Sequence, residues 1–335
     1  MPRIALVSAF PPLACGVADG SARLAEALER RGANVIRVRS DRWTLSDLGR
    51  LRRACDGADV IHLRYPTQES RSSLLPHLLA VLPRKIPLAV TIYDISVMHA
   101  LRRWSCFAFT TASWLIFTTE EERGAWLRMA PWTRGRSSVI PIGSNLPRPT
   151  AIEKKTPGLV AYFGLFRPSK GLDAFLEAAR LSRRDGLPFQ FVAIGREQAE
   201  RIGYLDCIRK SPGAEAVEWR VDLDPDAASA AIAEAEYVYL PFPDGVSERR
   251  GSLMAALNSG AIVVTTRGAQ TPVALDRVVK FAPGPAEAIR LICALNSNPT
   301  MREGLLREAT SYLARQEWPA IADAHIEVYQ RLRSE

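Results

Sequence analysis

The sequence lacks any long hydrophobic run. Although 47% of its 335 residues are hydrophobic, no apolar stretch approaches the roughly 20 residues that a membrane-spanning helix needs. The N-terminal segment MPRIALVSAF also lacks the basic stretch, long apolar core and cleavage site of a secretory leader. We therefore expect a cytosolic protein, and its length predicts two domains of roughly 150 residues each.

Closely spaced cysteine pairs are also absent. The five cysteines are Cys15, Cys55, Cys106, Cys207 and Cys293, an odd number at wide spacings with no C-x-x-C pair. Such spacing suits neither a zinc site nor a redox pair. The pattern predicts reduced, mostly buried thiols.

Positive charge is concentrated in one half of the chain. The net charge is +8, and residues 1–150 contain 21 basic and 12 acidic side chains, whereas residues 151–335 contain 23 and 24. The whole surplus therefore lies in the first half, which favours an anionic partner for that half. The alternative is a solvated, arginine-rich surface, since arginine supplies 38 of the 44 basic residues.

Short apolar runs alternate with helical stretches in both halves. The runs cover residues 3–8, 35–38, 59–63, 88–92, 115–118 and 139–142, and then 159–163, 189–194, 217–221, 237–240, 262–265 and 278–281. A loop containing Pro11, Pro12 and Gly16 precedes the first predicted helix, at about 21–31. This alternation predicts right-handed βαβ crossovers and parallel sheets that are buried on both faces.

A proline-rich, charged segment at 149–157 interrupts the alternation and predicts a linker. The expected domains are therefore residues 1–148 and 158–315. We expect an α/β protein of two Rossmann-like, doubly wound domains that face a cleft, with ligands at the carboxyl ends of the strands.

The segment YFGLFRPSKG, residues 162–171, leaves a predicted strand, turns through Gly164 and opens a helix. Arg167 and Lys170 on this short loop suit a diphosphate, because fixed positive charge and free backbone N–H groups both point toward the helix N-terminus. It is not a Walker loop, since Lys170 precedes Gly171 and no hydroxyl follows for magnesium. An ordinary βα turn with solvated side chains remains the alternative.

The segment 240–266, LPFPDGVSERRGSLMAALNSGAIVVTT, is the stronger candidate. Its loop carries Asp244, Ser247, Glu248, Arg249 and Arg250 directly before a short helix. Gly251 permits close backbone approach to a ligand, and Ser252 is expected to cap the helix. A structural role explains the glycine and the cap but gives no reason for so many charges at this turn.

Five segments in this order, PPLACGVADGSARLAEAL, VIPIGSN, YFGLFRPSKG, DGVSERRGSLMAALNSGAIVVTT and EWPAIADAHIEVY, resemble the GT-B-fold glycosyltransferases of the large retaining family four. The resemblance covers nearly the whole chain. It implies transfer of a sugar from a nucleotide diphosphate donor to an acceptor, with retention at the anomeric carbon and with no cofactor or required metal. It also implies that the donor lies mainly on the C-terminal domain and that residues 316–335 return to the first domain.

The resemblance assigns roles to individual residues. Lys170 matches the lysine that neutralises the donor diphosphate, Gly16 matches the loop glycine that approaches it, and Asn145 falls where the first domain meets the hinge. The expected donor-binding set is Gly16, Gly164, Lys170, Ser247, Glu248, Arg250, Gly251, Ser252 and Leu253. The expected catalytic set is Lys170, Arg167, Glu248 and Asp94, and the acceptor-side set is Asp19, Tyr93, His99 and Asn145.

The chain also departs from the family pattern. Leu165 follows Gly164 where many relatives have arginine, so Arg167 is the candidate substitute. The two glutamates usually found seven residues apart are Ser247 and Ala255 here, which leaves Glu248 to meet sugar hydroxyls if the loop is shifted by one residue. The usual His-Asp pair is Tyr93-Asp94, with His99 five residues beyond Asp94.

The acceptor is expected to be a glycan or lipid-linked molecule, in synthesis of a bacterial cell-surface polysaccharide or glycoconjugate. Four of the seven tryptophans lie between Trp104 and Trp132, near several arginines, which suits peripheral contact with an anionic membrane. The alternative is that Trp114 and some neighbouring aromatic residues are core.

Two other function classes remain open. A non-catalytic subunit would explain the missing glutamates, and a nucleic-acid binder would explain the basic half. However, the sequence carries no RNP, helix-turn-helix or finger signature, so we expect no nucleic-acid partner.

Overall fold

The computed structural model describes residues 1–13, 16–40, 43–70, 73–149, 155–197 and 203–334. The chain forms two compact units, one of Met1–Asn145 with Arg315–Glu335 and the other of Leu146–Ala314. Cys15 and residues 150–154 of the expected linker lie outside the described residues.

The first unit is built on a parallel six-stranded sheet with the order β2-β1-β3-β4-β5-β6. Its strands are β1 (Arg3–Val7), β2 (Asn34–Val38), β3 (Val60–Tyr65), β4 (Leu88–Ile92), β5 (Trp114–Phe117) and β6 (Ser137–Val139). Its helices are α1 (Gly16–Arg30), α2 (Leu45–Ala54), α3 (Leu75–Val81), α4 (Ala100–Ser105), α5 (Glu120–Met129) and α12 (Trp318–Ser334). Every residue of β4 and β5 is buried, as expected for inner strands covered on both faces.

Helix α1 begins at Gly16, so the predicted start near residue 21 is wrong. The segment Gly-Val-Ala-Asp-Gly has weak helix propensity, but burial of Ala18 and Gly20 holds it in the helix. Tertiary packing thus overrides local propensity here. Asp19 consequently lies in the first helical turn.

Helix α12 completes one apolar layer of the first unit. It packs against α1, and Ile321, Ile326 and Tyr329 join Leu24 and Leu28 in one buried cluster. Trp318 Nε1 donates a 2.7 Å hydrogen bond to the Ser144 carbonyl and fixes the start of the helix.

A polar network also connects α12 to the sheet. Buried His62 on β3 is hydrogen-bonded through Nδ1 to Tyr329 Oη at 2.7 Å and through Nε2 to Thr91 Oγ1 at 2.8 Å. His325 Nδ1 lies 2.8 Å from the Ile321 carbonyl, and its ring centroid is 5.4 Å from that of His62. Burial holds the pKa of His62 well below its ordinary value and lowers that of His325 to about 4.

The second unit contains another parallel six-stranded sheet, with the order β12-β11-β10-β7-β8-β9. Its strands are β7 (Thr156–Phe166), β8 (Gln190–Glu197), β9 (Val217–Val221), β10 (Ala235–Leu240), β11 (Ile262–Thr265) and β12 (Lys280–Phe281). Its helices are α6 (Leu172–Arg184), α7 (Tyr204–Ile208), α8 (Pro225–Glu234), α9 (Gly251–Asn258), α10 (Pro285–Asn296) and α11 (Pro299–Leu313). β12 is shorter than the predicted run 278–281, and a 3₁₀ turn at Val273–Arg277 precedes it.

In each sheet the strand order reverses at one place. In the first unit the reversal lies between β1 and β3, and in the second it lies between β7 and β10. Ligands of open α/β sheets bind beyond the carboxyl ends of the strands at such a reversal. The loops after these strands are therefore the first places to look for a site.

The four described cysteines are all free thiols. Cys55 and Cys106 are buried, Cys293 is partly exposed and Cys207 is exposed. The prediction of buried thiols is therefore correct for two of the four described cysteines. Burial raises the pKa of the Cys106 thiol to about 12, which makes it unreactive.

Within the described ranges, no helix combines the length and apolarity needed to cross a bilayer.

The buried histidines make stability depend on pH. Between pH 6.5 and about 4 the unfolded chain binds a proton on His325 that the folded chain does not, so the free energy of unfolding should fall as the pH falls. The loss for His325 is at most about 3 kcal/mol, and His62 adds to it. Urea unfolding at pH 7, 6 and 5 measures the slope.

The exposed His99 provides the control for this experiment. His99→Gln should keep the wild-type slope, whereas His325→Gln should make the slope shallower. Equal slopes for the wild type and His325→Gln would contradict the assignment.

Candidate functional site

The loops after β7 and β10 meet at the strand reversal of the second unit. Gly171, directly before α6, has a φ of +75°, and a Cβ built there would lie 1.8 Å from the Pro241 carbonyl oxygen. Only glycine allows both this backbone conformation and this contact. Gly171 therefore holds the Lys170 turn against the start of the loop after β10.

Two cations share one aromatic ring at this junction. Lys170 Nζ lies 5.7 Å from the Phe242 ring centroid, and Arg250 Cζ lies 4.6 Å from the same centroid. Cations at these distances are attracted by the ring face. The structure thus brings together Lys170 and Arg250, which are 80 residues apart in the sequence.

A single carboxylate faces this pair. Asp244 Oδ2 forms a 2.5 Å ion pair with Arg250 Nη2, and the Asp244 side chain is 71% exposed whereas that of Arg250 is 17% exposed. Asp244 therefore neutralises Arg250 from the solvent side and leaves Lys170 without an ion-pair partner among the described residues.

The pKa of Lys170 records this environment. Burial, followed by the charges of Arg250 and Arg167, lowers the pKa to about 8, and Asp244 opposes this shift. An ammonium with a depressed pKa gains when an anion arrives, because the anion offsets both desolvation and repulsion. Chemically, the cluster is suited to binding an anion.

Helix α9 starts beside these cations. It begins at Gly251, and its N-cap is Arg250 with no side-chain capping bond, so the expected cap by Ser252 is wrong. The first N–H groups of a helix lack intrahelical acceptors and attract anions. Leu253 is fully buried and anchors this end of α9 in the core.

The loop 244–250 holds the remaining donor-side candidates. Ser247 is buried at 6% exposure. Glu248 Oε1 accepts a 2.8 Å hydrogen bond from Tyr312 Oη on α11, which fixes the carboxylate. Arg249 donates a hydrogen bond to Gln270 Oε1.

Gly164 lies within β7, next to Gly195 of β8, so the predicted turn through Gly164 is wrong: the strand continues to Phe166. A Cβ at Gly195 would lie 1.9 Å from the Gly164 carbonyl oxygen, so the two strands approach too closely there for any side chain. Arg167 follows β7, and its charge acts on Lys170 and Tyr162.

The acceptor-side candidates belong to the first unit. Asn145 Nδ2 donates a 3.3 Å hydrogen bond to the Gly16 carbonyl, which brings these two predicted residues together at the start of α1. Tyr93 Oη accepts a 2.5 Å hydrogen bond from Arg64 Nε. Burial raises the pKa of Tyr93, although Arg64 opposes this, so the phenol stays protonated.

Asp94 and His99 differ from these residues in their surroundings. Asp94 is exposed and has a φ of +56°. His99 is exposed, and its Nδ1 accepts the N–H of Leu101 at the start of α4. His99 therefore acts as a helix cap in this structure.

Sequence reasoning missed two residues of these sites, Phe242 and Arg64. Phe242 lies directly after an apolar run and has no distinguishing feature in the sequence. Its role is visible only in the structure, where Lys170 and Arg250 lie over its ring. Arg64 carried a usable signal, because a charged residue near the end of a strand buried on both faces needs a partner.

Among the described residues, no three His, Cys, Asp or Glu side chains converge as a metal site would require.

Comparison with solved structures identifies the architecture. A glycosyltransferase from Rickettsia africae superimposes with a TM-score of 0.71 at 10% identity over 99% of this chain and 98% of its own. HepE from Anabaena, solved with UDP and glucose, gives 0.72 at 13% identity over 98% and 100%. A sucrose-phosphate synthase from Thermosynechococcus elongatus gives 0.71 at 16% identity over the full length of both chains.

Sequence comparison gives no match. No protein-family model matches this chain, and no curated protein aligns with it significantly. The similarity lies in the architecture of two parallel sheets with flanking helices and a last helix that packs in the first unit. The chain therefore has the GT-B fold that these glycosyltransferases share.

Proposed function

We propose that this protein is a glycosyltransferase that moves a sugar from a nucleotide diphosphate sugar to a glycan or lipid-linked acceptor, with retention at the anomeric carbon and without a metal. The observation that carries the proposal is the pair Lys170 and Arg250 above Phe242 at the strand reversal of the second unit. HepE, with the same fold, was solved with UDP and glucose, and a starch synthase from Arabidopsis with ADP and acarbose, which supports a nucleotide sugar as donor.

The chemistry assigns the cations to the leaving group. As the glycosidic bond to the diphosphate breaks, the diphosphate gains negative charge. Lys170, Arg250 and the first N–H groups of α9 are already in place, so they stabilise this charge without reorganisation. Arg167 adds positive charge from the same loop as Lys170.

Glu248 is suited to hold hydroxyl groups of the donor. Tyr312 occupies Oε1, and Oε2 forms no hydrogen bond within the described part of the chain. A carboxylate oriented in this way accepts hydroxyl donors of a ribose or a hexose. It would take over the role of the family glutamate that Ser247 replaces.

Removing the Lys170 ammonium should slow turnover. A thermal-shift panel of UDP, GDP and ADP sugars first identifies the donor, since a ligand that binds only the native state raises the Tm. With that donor, Lys170→Ala should lower kcat by about 10²–10³ while circular dichroism stays unchanged. Lys210→Ala, at an exposed lysine of the same unit, should keep wild-type turnover.

A Lys170→Ala variant that retains more than half of the wild-type kcat would remove this residue from the mechanism. Binding of a nucleotide sugar without hydrolysis or transfer to any tested acceptor would instead favour the non-catalytic subunit.

Donor affinity should also depend on pH. Lys170 loses its proton as the pH rises through about 8, so affinity for the nucleotide sugar should be constant below pH 7 and weaken above pH 8. Arg167→Gln should move this inflection to higher pH, because Arg167 lowers the pKa of Lys170, and Asp244→Asn should move it to lower pH. Calorimetric titration from pH 6 to 10 measures both shifts, and an unchanged inflection in both variants would contradict the role of Lys170.

The first unit carries a surface suited to an anionic membrane. Phe107 stacks against Trp104 and Trp132, with ring centroids 5.1 and 6.5 Å away, and the two tryptophans are 66% and 63% exposed. We call these three residues the aromatic surface. Trp114 and Trp126 are buried, so the predicted tryptophan group divides equally between core and surface.

Arginines accompany the aromatic surface, and their hydrogen-bond partners are neutral. Arg103 Nη2 donates to the carbonyls of Ser96 and Met98, and Arg136 donates to those of Thr110 and Ala112. Arg134 is exposed. Their charges remain available to lipid phosphates, while indole rings suit the headgroup region. We therefore propose a cytoplasmic enzyme that binds peripherally to the inner face of a bacterial membrane.

Vesicle flotation tests this surface. The double variant Trp104→Ala/Trp132→Ala should lose at least about tenfold in binding to vesicles of phosphatidylcholine with 30% phosphatidylglycerol, and Arg134→Gln should weaken binding at low salt only. Met301→Ala, at an exposed apolar residue of the second unit, is the control. Absence of wild-type binding at low salt would end the proposal for the membrane and leave the proposed chemistry intact.

A further inference from the structure

A buried arginine occupies the strand reversal of the first unit. Arg64 is the penultimate residue of β3, beside β1 on one side and β4 on the other, and is only 5% exposed. Its Nη1 donates a 2.7 Å hydrogen bond to Ser21 Oγ on α1, and its Nε donates to Tyr93 Oη after β4. The guanidinium therefore lies at the carboxyl ends of the strands, where the fold places ligands.

Within the described part of the chain, the charge of Arg64 has no carboxylate partner. Both of its hydrogen-bond acceptors are hydroxyl groups, and among the described residues it forms no ion pair. The neighbouring acidic residues, Asp19 in the first turn of α1 and Asp94 after Tyr93, do not pair with it. Burying a cation without a counter-charge is costly, so the site is electrostatically incomplete.

One nitrogen of the guanidinium remains available. Nη2 forms no hydrogen bond within the described part of the chain, and it lies 3.7 Å from the position that a Cβ would take at Gly20. The Asn145 Oδ1 atom lies 3.6 Å from the same position. Because Gly20 has no side chain, Nη2 and the Asn145 amide oxygen both lie beside this residue, four residues after the exposed Gly16 at the start of α1.

We propose that Arg64 Nη2 and Tyr93 Oη bind a phosphate group carried by the acceptor. The inference rests on the proposed function, since it assigns the acceptor to this unit. A guanidinium and the N-terminal end of a 15-residue helix both favour a phosphate, and a protonated phenol donates to it. The acceptor is then a phosphorylated molecule, either soluble or attached to a lipid.

A purely structural arginine would behave differently on replacement. Ser21 keeps Ser8 Oγ and the Val17 carbonyl as partners without Arg64, and Tyr93 is only half-buried. Arg64→Met therefore keeps the Ser21 hydroxyl satisfied and removes an unpaired charge, at the cost of one hydrogen bond to the partly exposed Tyr93. We expect the Tm of Arg64→Met in phosphate-free buffer to lie within about 2 °C of the parent or above it.

The binding test uses the full chain with the site of the second unit disabled. In the Lys170→Gln background, inorganic phosphate should still bind by calorimetry. Adding Arg64→Met should abolish this binding, and adding Arg64→Lys, which keeps the charge but loses the planar fork, should weaken it about tenfold. Arg37→Met, at a half-exposed arginine paired with Glu29, should leave it unchanged.

Two results would overturn the proposal. One is phosphate affinity that is equal in the Arg64→Met, Arg64→Lys and parent chains. The other is a Tm loss of more than about 5 °C in Arg64→Met together with unchanged phosphate binding by the well-folded Arg64→Lys chain, which would make Arg64 structural.

Two further measurements separate the related possibilities. Vesicles of phosphatidylcholine with phosphatidylglycerol that displace phosphate from the parent chain indicate a lipid headgroup, and vesicles without effect indicate a soluble phosphate; either outcome supports the site. If the wild type binds no nucleotide sugar, the proposed function fails while Arg64-dependent phosphate binding persists. If Arg64 has no effect while nucleotide sugars bind, only the acceptor inference fails.

Discussion

Both candidate sites depend on a positively charged side chain that is largely shielded from water and only partly neutralised by its neighbours. In the second unit the charge resides on Lys170, whose pKa is depressed by burial and by neighbouring arginines. In the first unit it resides on Arg64, whose hydrogen bonds go to the hydroxyl groups of Tyr93 and Ser21. Each cation lies at the point where the strand order of its sheet reverses. This is the place where ligands of open α/β sheets bind, so each cation is positioned to meet an anionic ligand.

The backbone of the second site explains how this charge is tolerated. Gly171 lets the β7 loop contact the Pro241 carbonyl, and the Phe242 ring then lies beneath two cations. An aromatic face attracts cations without consuming their hydrogen-bond donors. The ammonium and the guanidinium are therefore held close together without donating hydrogen bonds to the ring.

Most of the architecture was readable from the sequence, because short apolar runs separated by amphipathic stretches leave few alternatives to a parallel sheet. The errors occur where tertiary contacts outweigh local preference. The start of α1 at Gly16 depends on the burial of Ala18 and Gly20. The expected cap at Ser252 is wrong because α9 begins at Gly251, two residues earlier than a cap at that position requires.

The sites were only partly readable. Lys170 and Arg250 stand out in charged loops, but their convergence on Phe242 requires the fold. Tyr312 lies 64 residues from Glu248, and no local pattern links them. Arg64 directly follows an apolar run and was not predicted. Its position on an inner strand, where a charged side chain needs a partner, was the sequence feature that indicated a special role.

The return of the last helix to the first unit has a consequence for biosynthesis. During translation the N-terminal strands emerge first, yet the apolar layer that contains Leu24 and Leu28 is completed only by Ile321, Ile326 and Tyr329. The second unit, which is continuous in sequence, can close its core while the first still exposes a hydrophobic face to the ribosome surface and to chaperones. The order of maturation is thus opposite to the order of synthesis.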